Sequence, residues 1–137
     1  MRTAVDSSVL LDVLIADPRF ADSSEEVLRH ASSEGALVIC ESVVAEITPA
    51  IGASVVREFL ADWNLTFVPS TVESATLAGE IFQGYLRRIP RSGTRVLPDF
   101  LIGAHAMCLA DRLLARDRGY YRDYFKRLRV IEPQARR

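Results

Sequence analysis

Short apolar runs separated by longer stretches of helical periodicity constrain this chain more than any other feature. Thr3–Val5, Ala36–Cys40, Leu65–Val68 and Leu113–Ala115 read as strands, with Leu128–Ile131 as a last one. Ala36–Cys40 is apolar throughout, as expected of a strand covered on both faces. Between these runs, Val9, Leu10, Val13 and Leu14 make a helical stripe that Pro18 stops. Ser23 with Glu26 fits a capping box opening a helix that turns Val27, Leu28 and Ala31 inward, and Gly35 ends it. Helices are expected over Ser42–Ile51 and Ser54–Trp63. Ser70 with Glu73 fits a second capping box, ahead of a long stripe from Leu77 to Ile89 that Pro90 closes. Arg91–Arg95 is a polar loop, and Pro98 suits the first position of a helix running from Asp99 to about Asp111. Asp117–Phe125 reads as a loop with a short helix. Strands alternating with helices predict an α/β sandwich around a mostly parallel sheet.

The chain has 137 residues, with no repeat and no linker long enough to divide it, so a single domain over 1–137 is expected. Folding at this length buries about two-thirds of the unfolded surface, enough for a core without staples. Apolar runs reach about five residues, far short of the roughly 20 of a membrane helix. The acids Asp6, Asp12 and Asp17 leave no secretory hydrophobic region at the start. Cys40 and Cys108 lie far apart in apolar surroundings, which suits buried free thiols. A soluble, cytoplasmic protein is the expectation.

The net charge of −1 conceals a division. Residues 1–86 carry 4 arginines against 13 acids, whereas residues 87–137 carry 12 arginines and Lys126 against 5 acids. Such asymmetry points either to a polyanionic partner or to acidic and basic faces that pair with each other.

Four carboxylates stand where an α/β sheet binds ligands, outside the carboxyl ends of its strands or on helices packed there. Asp6 follows the first strand and Asp117 follows Leu113–Ala115. An Asp at a strand-to-helix junction is also a favoured helix cap, so each has a plain structural alternative. Glu46 shares a helix face with Val43, Ile47 and Ala50, where an ionised carboxylate needs compensation. Asp99 shares a face with Ile102, Gly103 and Ala106, in a first helical turn that favours an anion. Four acids at one end of a sheet repel each other, and divalent cations relieve that repulsion. All-oxygen ligation selects hard ions such as Mg2+ or Mn2+, which can polarise a phosphodiester and activate water. His105 and His30 read as structural. Asp12 reads as solvent-facing or as a salt-bridge partner, and Asp123 as a weaker candidate for the site.

In this order the residues resemble a known family. Val5-Asp6-Ser7-Ser8-Val9-Leu10-Leu11-Asp12, Val43-Val44-Ala45-Glu46-Ile47, Leu97-Pro98-Asp99-Phe100-Leu101-Ile102-Gly103-Ala104-His105-Ala106 and Leu113-Leu114-Ala115-Arg116-Asp117 are similar to the PIN-domain nucleases, and most of all to VapC toxins of type II toxin–antitoxin systems. The resemblance spans nearly the whole chain and implies a three-layer α/β/α sandwich. It implies that Asp6, Glu46, Asp99 and Asp117 are an acidic quartet holding Mg2+ or Mn2+ for hydrolysis of RNA, leaving 5′-phosphate and 3′-hydroxyl ends. Ser7 or Ser8 matches a hydroxyl residue that positions a carboxylate or a water. Ala115 departs from the Thr or Ser found near the last acid in many relatives. The resemblance further implies a homodimer and a cognate antitoxin whose segment clamps onto the toxin, with an arginine entering the acid pocket.

RNA brought to an acidic pocket needs cations around it. Arg87, Arg88, Arg91 and Arg95 precede Asp99, and Arg116, Arg118 and Arg122 flank Asp117. Arginine gives planar, bidentate phosphate contacts. Tyr120, Tyr121 and Tyr124 have the chemistry to stack on unpaired bases, although core packing fits Tyr121 and Phe125 better. The alternatives to a toxin are a non-catalytic PIN-like module that binds RNA or a partner, and a stand-alone RNA-processing nuclease. A phosphoacceptor domain of the receiver type falls away, because Pro69-Ser70 follows the third strand where an acceptor Asp is needed.

Overall fold

The computed structural model describes residues 1–89 and 96–135. Its strands are β1 (Arg2–Val5), β2 (Ala36–Ile39), β3 (Leu65–Phe67), β4 (Arg112–Leu114) and β5 (Val130–Ile131). Its helices are α1 (Ser7–Leu14), α2 (Ala21–Glu34), α3 (Glu41–Ile51), α4 (Ala53–Asp62), α5 (Val72–Arg88), α6 (Leu97–Leu109) and α7 (Tyr120–Tyr124). All pairings are parallel, in the order β3-β2-β1-β4-β5. The chain runs outward from β1 to β3, then crosses back to lay β4 on the other side of β1. Right-handed crossovers therefore put α1 to α4 on one face and α5 to α7 on the other, which makes the three layers. Leu37, Val38, Ile39, Leu113 and Leu114 are buried, so the central strands are covered on both sides.

Local starts differ from the expected ones, for reasons of hydrogen bonding. α2 opens at Ala21, before Ser23, because the Asp17 carboxylate accepts the amides of Arg19 (2.8 Å) and Phe20 (3.0 Å) and turns the chain early. The expected Ser23–Glu26 box does not form. α5 is capped by Thr71 with Ser74, one residue later than expected, since Glu41 accepts the Ser70 amide at 2.9 Å. Cys40 is buried, and burial pushes its thiol up to about 11, but Cys108 is exposed, contrary to expectation. Arg91 and Arg95 lie outside the described residues. No helix among the described residues is long and apolar enough to cross a membrane.

An aromatic cluster ties α5, α6 and α7 together. Phe100 lies within 5.3–6.0 Å, centroid to centroid, of Phe82, Tyr85, Tyr120, Tyr124 and Phe125. Gly103 is required where α7 closes onto α6, because a Cβ there would stand 2.8 Å from the Phe125 ring.

Candidate functional site

The strand order reverses between β1 and β4, and open parallel sheets bind ligands outside the carboxyl ends of the strands at such a point. The two strand ends are locked together by the Asp6 amide, which donates to the Leu114 carbonyl at 2.9 Å. A cavity of about 330 Å³ opens there, and Asp6, Glu46 and Asp99 all line it.

Each carboxylate arrives from a different element. Asp6 caps α1 directly after β1, and its Oδ2 accepts the Ser8 amide (3.1 Å) and the Ser8 hydroxyl. Its Oδ1 accepts the hydroxyl of Tyr121 from α7 at 2.9 Å. Glu46 projects from α3 and accepts the Ser7 hydroxyl on Oε1 at 3.0 Å. Asp99 lies in the first turn of α6, where its Oδ2 meets Arg118 Nη2 at 3.2 Å. The expected helix-cap role of Asp6 and its place at the cavity are thus both realised. Ser7 and Ser8 both reach the acids, one apiece.

The cavity is short of positive charge. Burial raises the Asp6 pKa although Ser8, Tyr121 and Arg118 oppose the rise. Burial raises Glu46 too, helped by the charge of Asp6. Asp99 is pushed up to about 6 by burial first, then by Asp6 and Glu46, against the pull of Arg118. Burial and the charge of Asp6 hold the Tyr121 phenol well above its ordinary value, so it remains a donor. Arg118 is the counter-charge common to all three acids, and its side chain is 74% exposed.

Arg116 also lines the cavity. Its Nη2 bonds Asp12 Oδ1 at 2.7 Å, its guanidinium lies 4.1 Å from the Phe20 ring centroid, and its buried Nε has no partner among the described residues. Asp12 is buried rather than solvent-facing, and its salt bridge is as expected. α2 folds back over α1 and gives Asp12 a second partner, the Ser24 hydroxyl at 2.8 Å. Leu11 and Ile15 add apolar lining, and half-buried Tyr120 lines the cavity as well.

The structure does not bring Asp117 to this cavity. Its Oδ1 accepts the amides of Gly119 (2.7 Å) and Tyr121 (3.1 Å), and its Oδ2 accepts that of Arg122 (2.8 Å). The expected fourth acid is instead the anchor of α7. Arg122, expected near RNA beside it, pairs with Asp123 at 3.0 Å and lines a separate cavity with Asp117. Asp123 is therefore also away from the acids. His105 is structural as expected, its Nε2–H donating to the Val68 carbonyl at 2.7 Å. Sequence reasoning missed the Tyr121 hydroxyl, since a buried tyrosine on a short helix carries no sign of which way its oxygen points.

A family model for the PIN domain matches residues 3–126. The chain belongs to the PIN-domain family, a family of nucleases. Among solved structures it is similar to VapBC2 from Rickettsia felis bound to a DNA fragment from its promoter, with a TM-score of 0.73 at 16% identity. It is similar also to VapBC-1 from nontypeable Haemophilus influenzae (0.69, 14%) and to DNA-bound VapBC from Salmonella typhimurium (0.61, 13%). Each likeness covers 96% of this chain and 98% of the other, and at such identities it shows the fold. No curated protein matches the chain in sequence.

PIN nucleases generally use divalent metals. The donor set fits a hard cation: three carboxylates, no thiolate or imidazole, and raised proton affinities that a cation would relieve. As the side chains are placed, however, no three His, Cys, Asp or Glu among the described residues stand close enough to hold a metal. Each acid is turned toward its own partner.

Proposed function

We propose that this chain is a VapC-like toxin, a cytoplasmic endoribonuclease dependent on Mg2+ or Mn2+ and restrained by a cognate antitoxin. The observation that carries this reading is the convergence of Asp6, Glu46 and Asp99 on one cavity at the point where the strand order reverses. These three residues would hold the cation, which when bound supplies Lewis acidity toward a phosphodiester oxygen and activates the attacking water. Ser7 and Ser8 keep Glu46 and Asp6 turned inward. Arg116, set by Asp12 and Phe20, offers a fixed cation for a phosphate. Arg118 is free to leave Asp99 for a second phosphate, because an exposed ion pair contributes about 0–1 kcal/mol. Tyr120, half-buried in the cavity lining, has the ring chemistry to stack on an unpaired base.

The antitoxin and homodimer rest on the family resemblance and on the likeness to VapBC complexes. Ile15, 63% exposed beside Leu11, gives the cavity an apolar edge that suits a side chain of a restraining segment. A basic group of that segment would meet the same unneutralised acids.

The test compares wild type with Asp99→Asn on a panel of structured RNAs, with Mg2+ or Mn2+ and with chelator. Cleavage by wild type alone, lost with chelator, is expected. Equal cleavage by both proteins, or cleavage that survives chelation, sinks the metal-nuclease reading. Metal-dependent thermal stabilisation without cleavage of any RNA would favour the binding module instead, a reading to which Ala115 and the anchoring role of Asp117 lend support.

A further inference from the structure

We propose that Tyr121 is a positioning residue for the Asp6 carboxylate, and that Asp117 acts on the site only through it, by holding α7 in place. The inference rests on the reading of Asp6, Glu46 and Asp99 as holders of a cation. Asp6 has one oxygen fixed from its own helix, Oδ2, by the amide and hydroxyl of Ser8. Those two bonds hold only one of the two oxygens against rotation about Cβ–Cγ, which is soft for aspartate. The Tyr121 hydroxyl holds the other oxygen by donating to Oδ1 at 2.9 Å, and Oδ1 keeps its second lone pair for a cation. Packing alone does not call for this hydroxyl, because Phe125 on the same segment buries a ring without one.

The reach of Tyr121 is set from both ends of α7. A five-residue helix cannot stand alone. At its start Asp117 accepts three amides, and Gly119 at φ +107° makes the turn that lets it do so. The Asp117 amide is tied in turn to Glu132 Oε1 at 2.9 Å, so the anchor is itself held. At the far end Phe125 fills the space over Gly103, one turn beyond Asp99 on α6. The two clamps place the phenol between β1 and α6, where Asp6 and Asp99 stand.

The experiment titrates Mn2+ alone, by calorimetry, into wild type, Tyr121→Phe, Asp117→Asn, Asp117→Ala, Asp99→Asn and the Tyr121→Phe/Asp117→Ala double variant. Tyr121→Phe keeps the ring, and metal-free thermal unfolding checks that each variant folds. Tyr121→Phe should bind Mn2+ about 10–100-fold more weakly, the range for losing a partner of a metal ligand. Asp117→Asn, which keeps an oxygen for Gly119 and Tyr121, should lose less than Tyr121→Phe. The double variant should be no weaker than the worse single one, because both changes remove the same contact. Tyr121→Phe within about twofold of wild type would overturn the role of Tyr121. Multiplying losses in the double variant, or loss of binding in Asp117→Asn as complete as in Asp99→Asn, would make Asp117 a ligand and overturn its indirect role. Wild type that binds no Mn2+ would overturn the cation reading and this inference together.

Discussion

Asp6 and Asp117 leave the carboxyl ends of two hydrogen-bonded parallel strands, β1 and β4, yet they have opposite roles. Asp6 receives one backbone amide and two hydroxyls, and its carboxylate faces the cavity with its pKa raised. Asp117 receives three backbone amides and faces its own helix. The turn after each acid decides between the two roles. Beyond Asp6 the chain enters α1 at once, through Ser7-Ser8, so one amide satisfies the cap. Beyond Asp117 comes Arg118-Gly119, whose left-handed glycine curls the chain back and aims three amides at one side chain. An acid after a strand is thus a site candidate where the next turn leaves one of its oxygens free of backbone amides, as with Oδ1 of Asp6.

That contrast breaks most readily at the level of cleavage. Asp6→Asn should reduce metal-dependent RNA cleavage more than about 100-fold, beyond the range for partners of ligands, while Asp117→Asn should cost about 10-fold or less. Single-turnover rates on one RNA substrate measure both, and comparable losses would erase the distinction.

Stability should separate the two kinds of acid by sign. Asp117→Ala strips the acceptor from three amides and should destabilise the metal-free protein by about 1–2 kcal/mol in denaturant unfolding. Asp99→Asn should stabilise it at neutral pH. An unfolded aspartate loses its proton near pH 4, whereas folded Asp99 keeps its own to about 6, for the reason that it is buried beside Asp6 and Glu46. Between those values the folded chain binds more protons, so stability falls as pH rises from about 4 to 6 and is level above. The fall is on the order of 1–3 kcal/mol and should shrink in Asp99→Asn. Stability that rises across this window would contradict the crowded carboxylates.

The smallest effect belongs to Arg118. Arg118→Ala removes the shared counter-charge of the acids, so Mn2+ should bind a few-fold more tightly at low salt. RNA binding should weaken, with the salt slope reduced by about 0.7 for one lost phosphate contact. A change in slope without a change in Mn2+ affinity would restrict Arg118 to the substrate side.

Much of the fold is legible in the sequence, because strands buried on both faces read as apolar runs, and Ala36–Cys40 and Leu113–Ala115 do so plainly. Three of the four acids are legible for a similar reason: Glu46 and Asp99 sit on helix faces otherwise given to packing, and Asp6 ends a strand. Asp117 satisfies the same rule yet stands away from the cavity, since its neighbours rather than its position determine its partners. Asp12 reads as outward on a regular α1 because nothing in the sequence tells that Ser24 of α2 folds over it. Tyr121 is legible as buried, but the target of its hydroxyl is a tertiary fact. Helix starts shift by one to three residues for the same cause, with Asp17 and Glu41 taking amides that local capping rules assign elsewhere.

Whether a divalent cation binds here, and which acids would hold it, is the central question for this site. Crystals grown with Mn2+ and measured for anomalous scattering answer it directly. The ion should appear in the cavity with Asp6, Glu46 and Asp99 turned toward it, Arg118 withdrawn from Asp99, and Asp117 still on the amides of α7. An ion ligated by Asp117, or crystals saturated with Mn2+ that hold none among the three acids, would contradict the division of roles between Asp6 and Asp117.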